Sequence, residues 1–416
     1  MEEAKRQKGK LAKLDTSSSS SSSSSHHHQM EMWDFGCLGK DIMFDVLSPM
    51  HAKDLLVLKV VSKQCRALTQ DDTFTRIQSK KKEPLAGFFI QQHFEIIKVD
   101  IRAINYVPIK VGSTRVRREM FNFLPEDVAI LSSCSGLICC RTCFPSPKPS
   151  IYVCNILTKD WIKIEWTEHF DKMNSNIALA FDPFVDITEN STKFKVVKVE
   201  QVEDDEDNMF FTFAIFCSET MKWKISEEIC WCNHNLLDNK NNGLLIKGVL
   251  HWLTRCGQVL TFEVENELAW LIAAPLPFDQ FDTVPDVCIG ESDGQLHYIM
   301  ISEEGFQLWS LEDYFELKWS LKCSKTLSEM EKEHPEYLCH LQGRITLCKE
   351  LSHIWMDPLA FKDGVLLMRV SNDIYMYDIE ASRVEKVSPI SQLGHEYSMD
   401  LTVLPYSMSL VPLTHA

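Results

Sequence analysis

No uninterrupted apolar run in this sequence approaches the roughly 20 residues that a membrane-spanning helix needs, and Lys or Asp breaks the longest candidates. No membrane span and no membrane partner are expected. The opening segment MEEAKRQKGKLAKLD has no apolar stretch of the kind a secretory leader carries, and the 15 cysteines form an odd set. A disulfide-stapled secreted protein is therefore not expected, and the reading is a reducing compartment, the cytoplasm, the nucleus or both. Net positive charge is missing too: 43 basic against 59 acidic residues leave −16, which repels a phosphate backbone, so nucleic acid is not an expected partner. The 15 glycines are few and isolated, and Gly-x-Ser-x-Gly, Walker and dinucleotide fingerprints are all missing. Neither a cofactor nor enzymatic bond chemistry is expected.

What is present can fill a core. At 416 residues and 45% hydrophobic, the chain has material for one large or two unequal domains. Residues 1–34 read as a tail: a basic opening, serines 17–25 and histidines 26–28 offer no apolar surface to offset the entropy of ordering. The histidines are read as a surface tract rather than a metal site. Lys5, Lys8, Lys10 and Lys13 match a nuclear-import pattern of low specificity.

Residues 35–83 read as a small all-α module. Leu38, Ile42, Met43, Val46, Leu47 and Met50 recur at helical spacing, with Asp41 able to cap the start and Pro49 marking the end. Leu55, Leu58 and Val61 share a face of a second helix while Leu56 and Val60 point elsewhere, and Ser62 can cap a third segment presenting Cys65 and Leu68. The unit is apolar on both sides. About 40 residues bury too little surface to be stable alone, so these helices need either the rest of the chain or another protein.

Residues 84–412 read as an all-β domain. Short apolar or alternating runs such as LICCR, IYVCNI, FKVVKVE, FTFAIFC, GVLHWLT, QVLTFEV, QLHYIMIS, GFQLWSL, GVLLMRV and DIYMYDI are separated by Gly, Asn, Asp and Pro. A loose repeat aligns them: a Gly-led strand, a second strand ending in an acidic residue or Asn, a polar turn, and often Trp. FAIFCSETMKWKIS supplies a second half without the Gly. Such repetition predicts a β-propeller of six or seven blades.

Several clusters carry chemistry on paper. Cys134, Cys139, Cys140 and Cys143 with Cys230, Cys232 and His234 contain half-spacings for zinc, but their alternation within strands favours buried thiols, and no metal site is expected. Cys256 near His251 has the residue types of a nucleophile and base without an orienting motif. The acidic run 203–208 reads as a solvated hairpin tip, and Trp252, Trp309 and Trp319 as blade core.

Two resemblances organise these readings. LGKDIMFDVLSPMHAKDLLVLKVVSKQCRALTQDDTFTRIQ resembles an F-box, with Leu38, Asp41, Ile42, Val46, Leu47, Ala52, Leu55, Leu56, Val61, Ser62, Lys63, Arg66 and Phe74 among the residues in register. Gly39 stands where that family usually has its first proline, Met50 and His51 replace a common Leu-Pro pair, and Cys65 takes the usual tryptophan position. LSSCSGLICC followed by VCNILTKDWIKI, LAFDPF and FKVVKV is similar to the opening blades of plant-type F-box proteins with an F-box-associated or kelch-like domain. The resemblance implies the substrate-recognition subunit of an SCF-type cullin-RING ubiquitin ligase, which binds a Skp-family adaptor through its helices and holds the protein to be ubiquitinated on its propeller. It implies an adaptor face of Leu38, Ile42, Val46, Leu47, Met50, Leu55, Leu56, Leu58, Val61 and Cys65; the substrate-binding residues and the substrate itself are not legible. The departures at Gly39, His51 and Cys65 leave a second reading, a propeller scaffold whose helical unit no longer binds an adaptor.

Overall fold

The computed structural model describes residues 39–94, 99–109, 120–146, 148–165, 176–188, 191–204, 208–232, 236–238, 243–314, 316–341, 343, 356–393 and 400–413. The tail 1–34, with its lysines and histidines, and Leu38 lie outside them.

Four short helices come first: α1 (Lys40–Leu47), α2 (Ala52–Val61), α3 (Lys63–Leu68) and α4 (Asp72–Ser79). Ser62 caps α3, its Oγ accepting from the Cys65 amide at 3.4 Å, and Asp71 caps α4 through the Thr73 and Phe74 amides at 3.1 Å. The cap assigned to Asp41 is corrected. Gly39 precedes α1 without a side-chain cap, and Asp41 sits in the first turn, where its charge faces the positive end of the helix dipole.

The strands then follow as antiparallel meanders. β1 (Leu85–Phe94) and β2 (Val99–Pro108) form a hairpin; β3 (Val128–Cys134), β4 (Leu137–Thr142), β5 (Ser150–Asn155) and β6 (Trp161–Glu165) make the first four-stranded unit. The second is β7 (Asn176–Ala180), β8 (Lys195–Glu203), β9 (Met209–Cys217) and β10 (Lys222–Trp231), and the third β11 (Leu244–Ile246), β12 (Val249–Leu253), β13 (Val259–Glu263) and β14 (Leu268–Ile272). The fourth is β15 (Asp286–Ser292), β16 (Gln295–Ser302), β17 (Gly305–Asp313) and β18 (Lys318–Lys325); the fifth is β19 (Met356–Lys362), β20 (Val365–Val370), β21 (Asp373–Asp378) and β22 (Arg383–Pro389). Finally β23 (Asp400–Ser407) returns to pair antiparallel with β1, from Leu85↔Ser407 to His93↔Asp400.

The arrangement is a β-propeller. The first strands touch in a ring, β3 to β7, β7 to β11, β11 to β15, β15 to β19, β19 to β23 and β23 back to β3. Each seam between neighbouring units is one hydrophobic cluster. Phe89, Tyr106 and Tyr406 meet Ile130, Cys140 and Tyr152 across one seam, and Phe88, Ile90 and Val403 meet Leu359, Leu367 and Ile374 across another. Strands between two seams are apolar on both sides: in β4 Cys139 faces one cluster and Cys140 the other, both fully enclosed.

The repeated glycine has a geometric origin. It is the second residue of a two-residue turn joining the first and second strands, where both residues need positive φ, as in Lys247 (49°) with Gly248 (81°) and Asp293 (53°) with Gly294 (69°). The same turn recurs at Ser135 with Gly136 and Asp363 with Gly364. In the second unit residues 181–194 replace the tight turn between β7 and β8, so its repeat lacks the glycine. The all-β reading of this region is corrected by a helix: α5 (Leu327–Glu333), opened by a Thr326/Glu329 capping box, buries Leu327 and Met330 in the seam between the fourth and fifth units.

The fourth and fifth units come close enough for β15 and β19 to pair in parallel at Gly290↔Phe361. A Cβ on Gly290 would stand 2.1 Å from the Phe361 carbonyl oxygen, so Gly290→Ala is expected to cost about 1–3 kcal/mol. Urea unfolding checks this: the midpoint should fall with the slope unchanged, and an unchanged midpoint would refute the close approach.

Candidate functional site

The helical unit has an inner and an outer side. Inside, Met43, Leu47, Ala52, Leu55, Cys65, Leu68 and Phe74 form one cluster that is completed by Leu410 and flanked by Met408 and Leu157 of the propeller. Phe44 meets Phe74 edge to face at 5.3 Å. Outside, two aliphatic stripes remain uncovered: Ile42 (53% exposed) and Val46 (62%) on α1, and Val57 (61%), Val60 (87%) and Val61 (74%) on α2. α2 is apolar on every side, whereas a helix docked on one surface needs only one apolar stripe.

The segment between helices and ring fixes one to the other. Glu83, buried, accepts from the Ala52 amide at 3.0 Å and from Gln78 Nε2 at 2.8 Å, while His51 Nδ1 lies 3.0 Å from its other oxygen. It thus caps α2 from 31 residues away. Lys81 donates to the Pro49 carbonyl at 2.7 Å and also to that of Met50. Lys82 bridges to the ring, 2.9 Å from Glu291, which also takes Lys362 at 3.2 Å and the Gly294 amide at 2.7 Å. Burial would raise the Glu291 carboxyl, but Lys362, Lys82 and that amide outweigh it and hold it below the usual carboxylate range. Asp363 accepts from the Leu85 amide at 3.0 Å. These groups border a cavity of about 250 Å³ at the strand ends of the ring, lined by Lys82, Cys134, Ser135, Phe184, Lys247 and Glu291 among others.

The sequence-assigned adaptor face divides in three. Ile42, Val46 and Val61 are exposed; Met50, Leu56 and Leu58 are half-buried; Leu47, Leu55 and Cys65 are enclosed in the unit's own core. The last three are corrected: a side chain such as Leu55, with no exposed surface, holds the helices together and reaches a partner only if the unit opens. Val57 and Val60, which the sequence reading did not place on that face, are exposed beside Val61. Their signal was the β-branched run in VLKVV, which fills the helix face opposite Leu55 with residues of poor helix propensity. Gly39 (φ −58°, ψ 150°) and His51 (φ −69°, ψ 146°) both have backbone angles that proline adopts, yet His51 also contacts Glu83.

The other candidates resolve into packing. Cys139, Cys140, Cys230 and Cys232 are buried in the seams, and burial raises the Cys134 and Cys230 thiols to about 11 and Cys143 to about 12. No group of three or more metal-ligating side chains occurs among the described residues, and His234 lies outside them. His251 has both ring nitrogens engaged, Nδ1 with the Leu244 carbonyl and Nε2 with the Tyr314 hydroxyl, each at 3.1 Å, so neither is directed at Cys256. Trp252 is fully buried; Trp309 and Trp319 are half-buried against the seam between the third and fourth units, with the Trp319 indole donating to the Ala273 carbonyl at 2.9 Å. Within the acidic run, Asp204 closes the β8–β9 hairpin through Asn208 at 2.9 Å, and residues 205–207 lie outside the described set. A second cleft, about 1210 Å³, opens beside β2 and β3 between Arg102, Phe121, Glu126 and Asp127.

The described residues thus form a closed β-propeller with a helical unit docked on it. Residues 113–359 match the family described as F-box protein At3g26010-like, beta-propeller, and the chain belongs to that family. Its members are adaptor and interaction proteins rather than enzymes. Similar proteins include F-box protein At5g49610 of Arabidopsis thaliana, 24% identical over 318 residues that cover 69% of this chain and 80% of that one. F-box protein At5g03970 of the same plant is 23% identical, covering 83% and 82%, and the putative F-box/kelch-repeat protein At1g20790 is 27% identical, covering 44% and 39%.

Two measurements test this geometry. Glu83→Ala leaves the Ala52 amide and Gln78 without their acceptor, an expected cost of about 1–3 kcal/mol localised to the helices, read as faster amide exchange in α2 while seam strands stay protected. Unchanged exchange in α2 would reject the capping role. Burial depresses His251 from 6.5 to about 4, against its backbone hydrogen bonds, so the folded state binds fewer protons than the unfolded state between those values. Stability is then full above pH 6.5 and falls as pH drops toward 4, by about 3 kcal/mol. His251→Phe should flatten that slope in urea titrations, whatever it does to absolute stability; an unaltered slope would contradict the assignment.

Proposed function

We propose that the chain is the substrate-recognition subunit of an SCF-type cullin-RING ubiquitin ligase, acting in the cytoplasm, the nucleus or both. The helices of residues 35–83 are its F-box and take a Skp-family adaptor; residues 84–412 are a C-terminal, kelch-like propeller whose six antiparallel units are its blades and which holds the protein to be ubiquitinated. The work done is proximity, which raises the effective concentration of target lysines near a ligase-bound conjugating enzyme.

One observation carries this reading. The helical unit already buries its inner side on Leu410 and Met408, yet still presents Ile42, Val46, Val57, Val60 and Val61 to solvent. Docking on the chain itself leaves these side chains uncovered. Covering each of the remaining aliphatic side chains is worth about 1.5–3 kcal/mol at full burial, enough together for a specific complex.

Val57→Glu with Val60→Glu is the test. Both side chains are more than half exposed, so the fold should persist, while two carboxylates desolvated in the interface should lower adaptor affinity on the order of 100-fold or more. Calorimetry with a purified Skp-family adaptor reads it, beside Leu55→Asp, which should unfold the helices instead. Wild-type affinity in the double variant would reject this surface. If the wild-type chain itself fails to bind, the scaffold reading motivated by Gly39, His51 and Cys65 replaces it.

A further inference from the structure

The second unit of the ring has a sheet face that starts in a seam and ends in solvent. Val196 and Phe216 lie on it inside the seam with the first unit. Farther along, the cross-strand row Val202, Phe210 and Trp231 is followed by Thr212 with Ile229 and by Ala214 with Ile225. Val202 is 38% exposed, Ile229 40%, Trp231 55% and Ile225 69%, and Phe210 and Trp231 pack edge to face at 5.3 Å. A bulge between Ile225 and Ile229 keeps both on this face. β10 is the outermost strand of its sheet, and within that sheet it pairs with β9 alone.

The rim of this face is acidic. Glu203 and Asp204 stand at the β8–β9 hairpin beyond Val202, and Glu227 is exposed in the bulge beside Ile229. Glu200, on the face itself, is paired with Lys198. At the other end of β10, Lys224 is neutralised by Glu267 at 2.7 Å, and Lys222 lies beyond it. A second copy of the chain laid edge to edge on this strand in parallel register would bring its own carboxylates onto these, which opposes self-pairing in that register.

We propose that this outer part of β8–β10 is a docking surface for an extended segment that alternates aliphatic residues with lysine or arginine. Added along β10, such a segment sets every second side chain beside Ile225, Ile229 and Trp231, with its cationic side chains near Glu227 and within the longer-range field of Glu203. The proposal deepens the receptor reading and rests on it for the identity of the bound protein as a recruited one; the surface itself is independent of the helices.

The test uses the full chain and a fluorescein-labelled synthetic peptide of about ten residues, the length of a long strand, alternating valine and lysine. Fluorescence anisotropy should show binding that weakens with salt. Trp231→Ser with Ile229→Ser should weaken it by about tenfold or more, and Glu203→Lys with Glu227→Lys should transfer preference to a valine–glutamate peptide. Four results would overturn the proposal: unchanged affinity in the Trp231 and Ile229 variant; equal binding of the valine–glutamate peptide to wild type; sedimentation showing a wild-type dimer that the same variant dissolves, which assigns the face to a second copy; or binding seen only after removal of residues 1–14, which assigns it to the chain's own basic opening. Adaptor affinity measured on the same variants should stay at the wild-type value. Failure of peptide binding with adaptor binding kept therefore rejects this surface alone, and the reverse rejects the receptor reading alone.

Discussion

The pairing of β23 with β1 is the contact on which the other features depend. A row of sheets held mainly through side-chain seams, with backbone pairing between β15 and β19, has two free ends, and joining strands from opposite ends of the sequence turns it into a closed structure with no first or last seam. The residues after β23 extend the effect. Met408 and Leu410 enter the core of the helical unit, while Val411 and Leu413 fill the seam between the first two sheet units. Asn155 donates to the carbonyls of Ser409 and Val411 at 3.0 and 2.8 Å, which holds this segment flat across the ring. One stretch of about fourteen residues therefore closes the propeller and makes the bed for the helices.

That coupling bears on function. Under the function proposed above, a receptor working by proximity would gain from a fixed angle between its helical unit and its propeller. Here the angle is set by apolar contact through Leu410 and by a short charged segment in which Glu83 faces the helices and Lys82 faces Glu291 on the ring. The two carboxylates are buried and multiply hydrogen-bonded, so their contribution is one of geometry more than of net stability.

Uncovered apolar surface is informative because of where it lies. The aliphatic stripes of α1 and α2 sit on a small unit that has already satisfied its need for a core, and the Ile225, Ile229 and Trp231 face sits on an outermost strand, where most sheets place charge. In both places the side chains are β-branched or aromatic, types that lose little conformational freedom when a partner covers them.

The strand-forming runs from LICCR to DIYMYDI each correspond to a strand, because a strand enclosed between two seams must be apolar throughout and its tight turn must carry glycine at positive φ. The helical spacing of Ile42, Met43, Val46 and Leu47 was equally legible, since it is a local pattern. The direction each helix faces was not. Spacing makes Leu55 and Val60 alike as apolar residues of one helix, and only the positions of Leu68, Phe74 and Leu410 decide that Leu55 is enclosed and Val60 is left out. The cap that Glu83 supplies to α2, the pairing of β1 with β23 and the placing of α5 in a seam escaped for the same reason. The sequence by itself determined the ten strand-forming runs and the helical spacing of the first module, because propensity, periodicity and turn geometry act within a few residues; only the tertiary structure decided which apolar faces were consumed inside the chain and which were left exposed, because that depends on contacts between residues hundreds of positions apart.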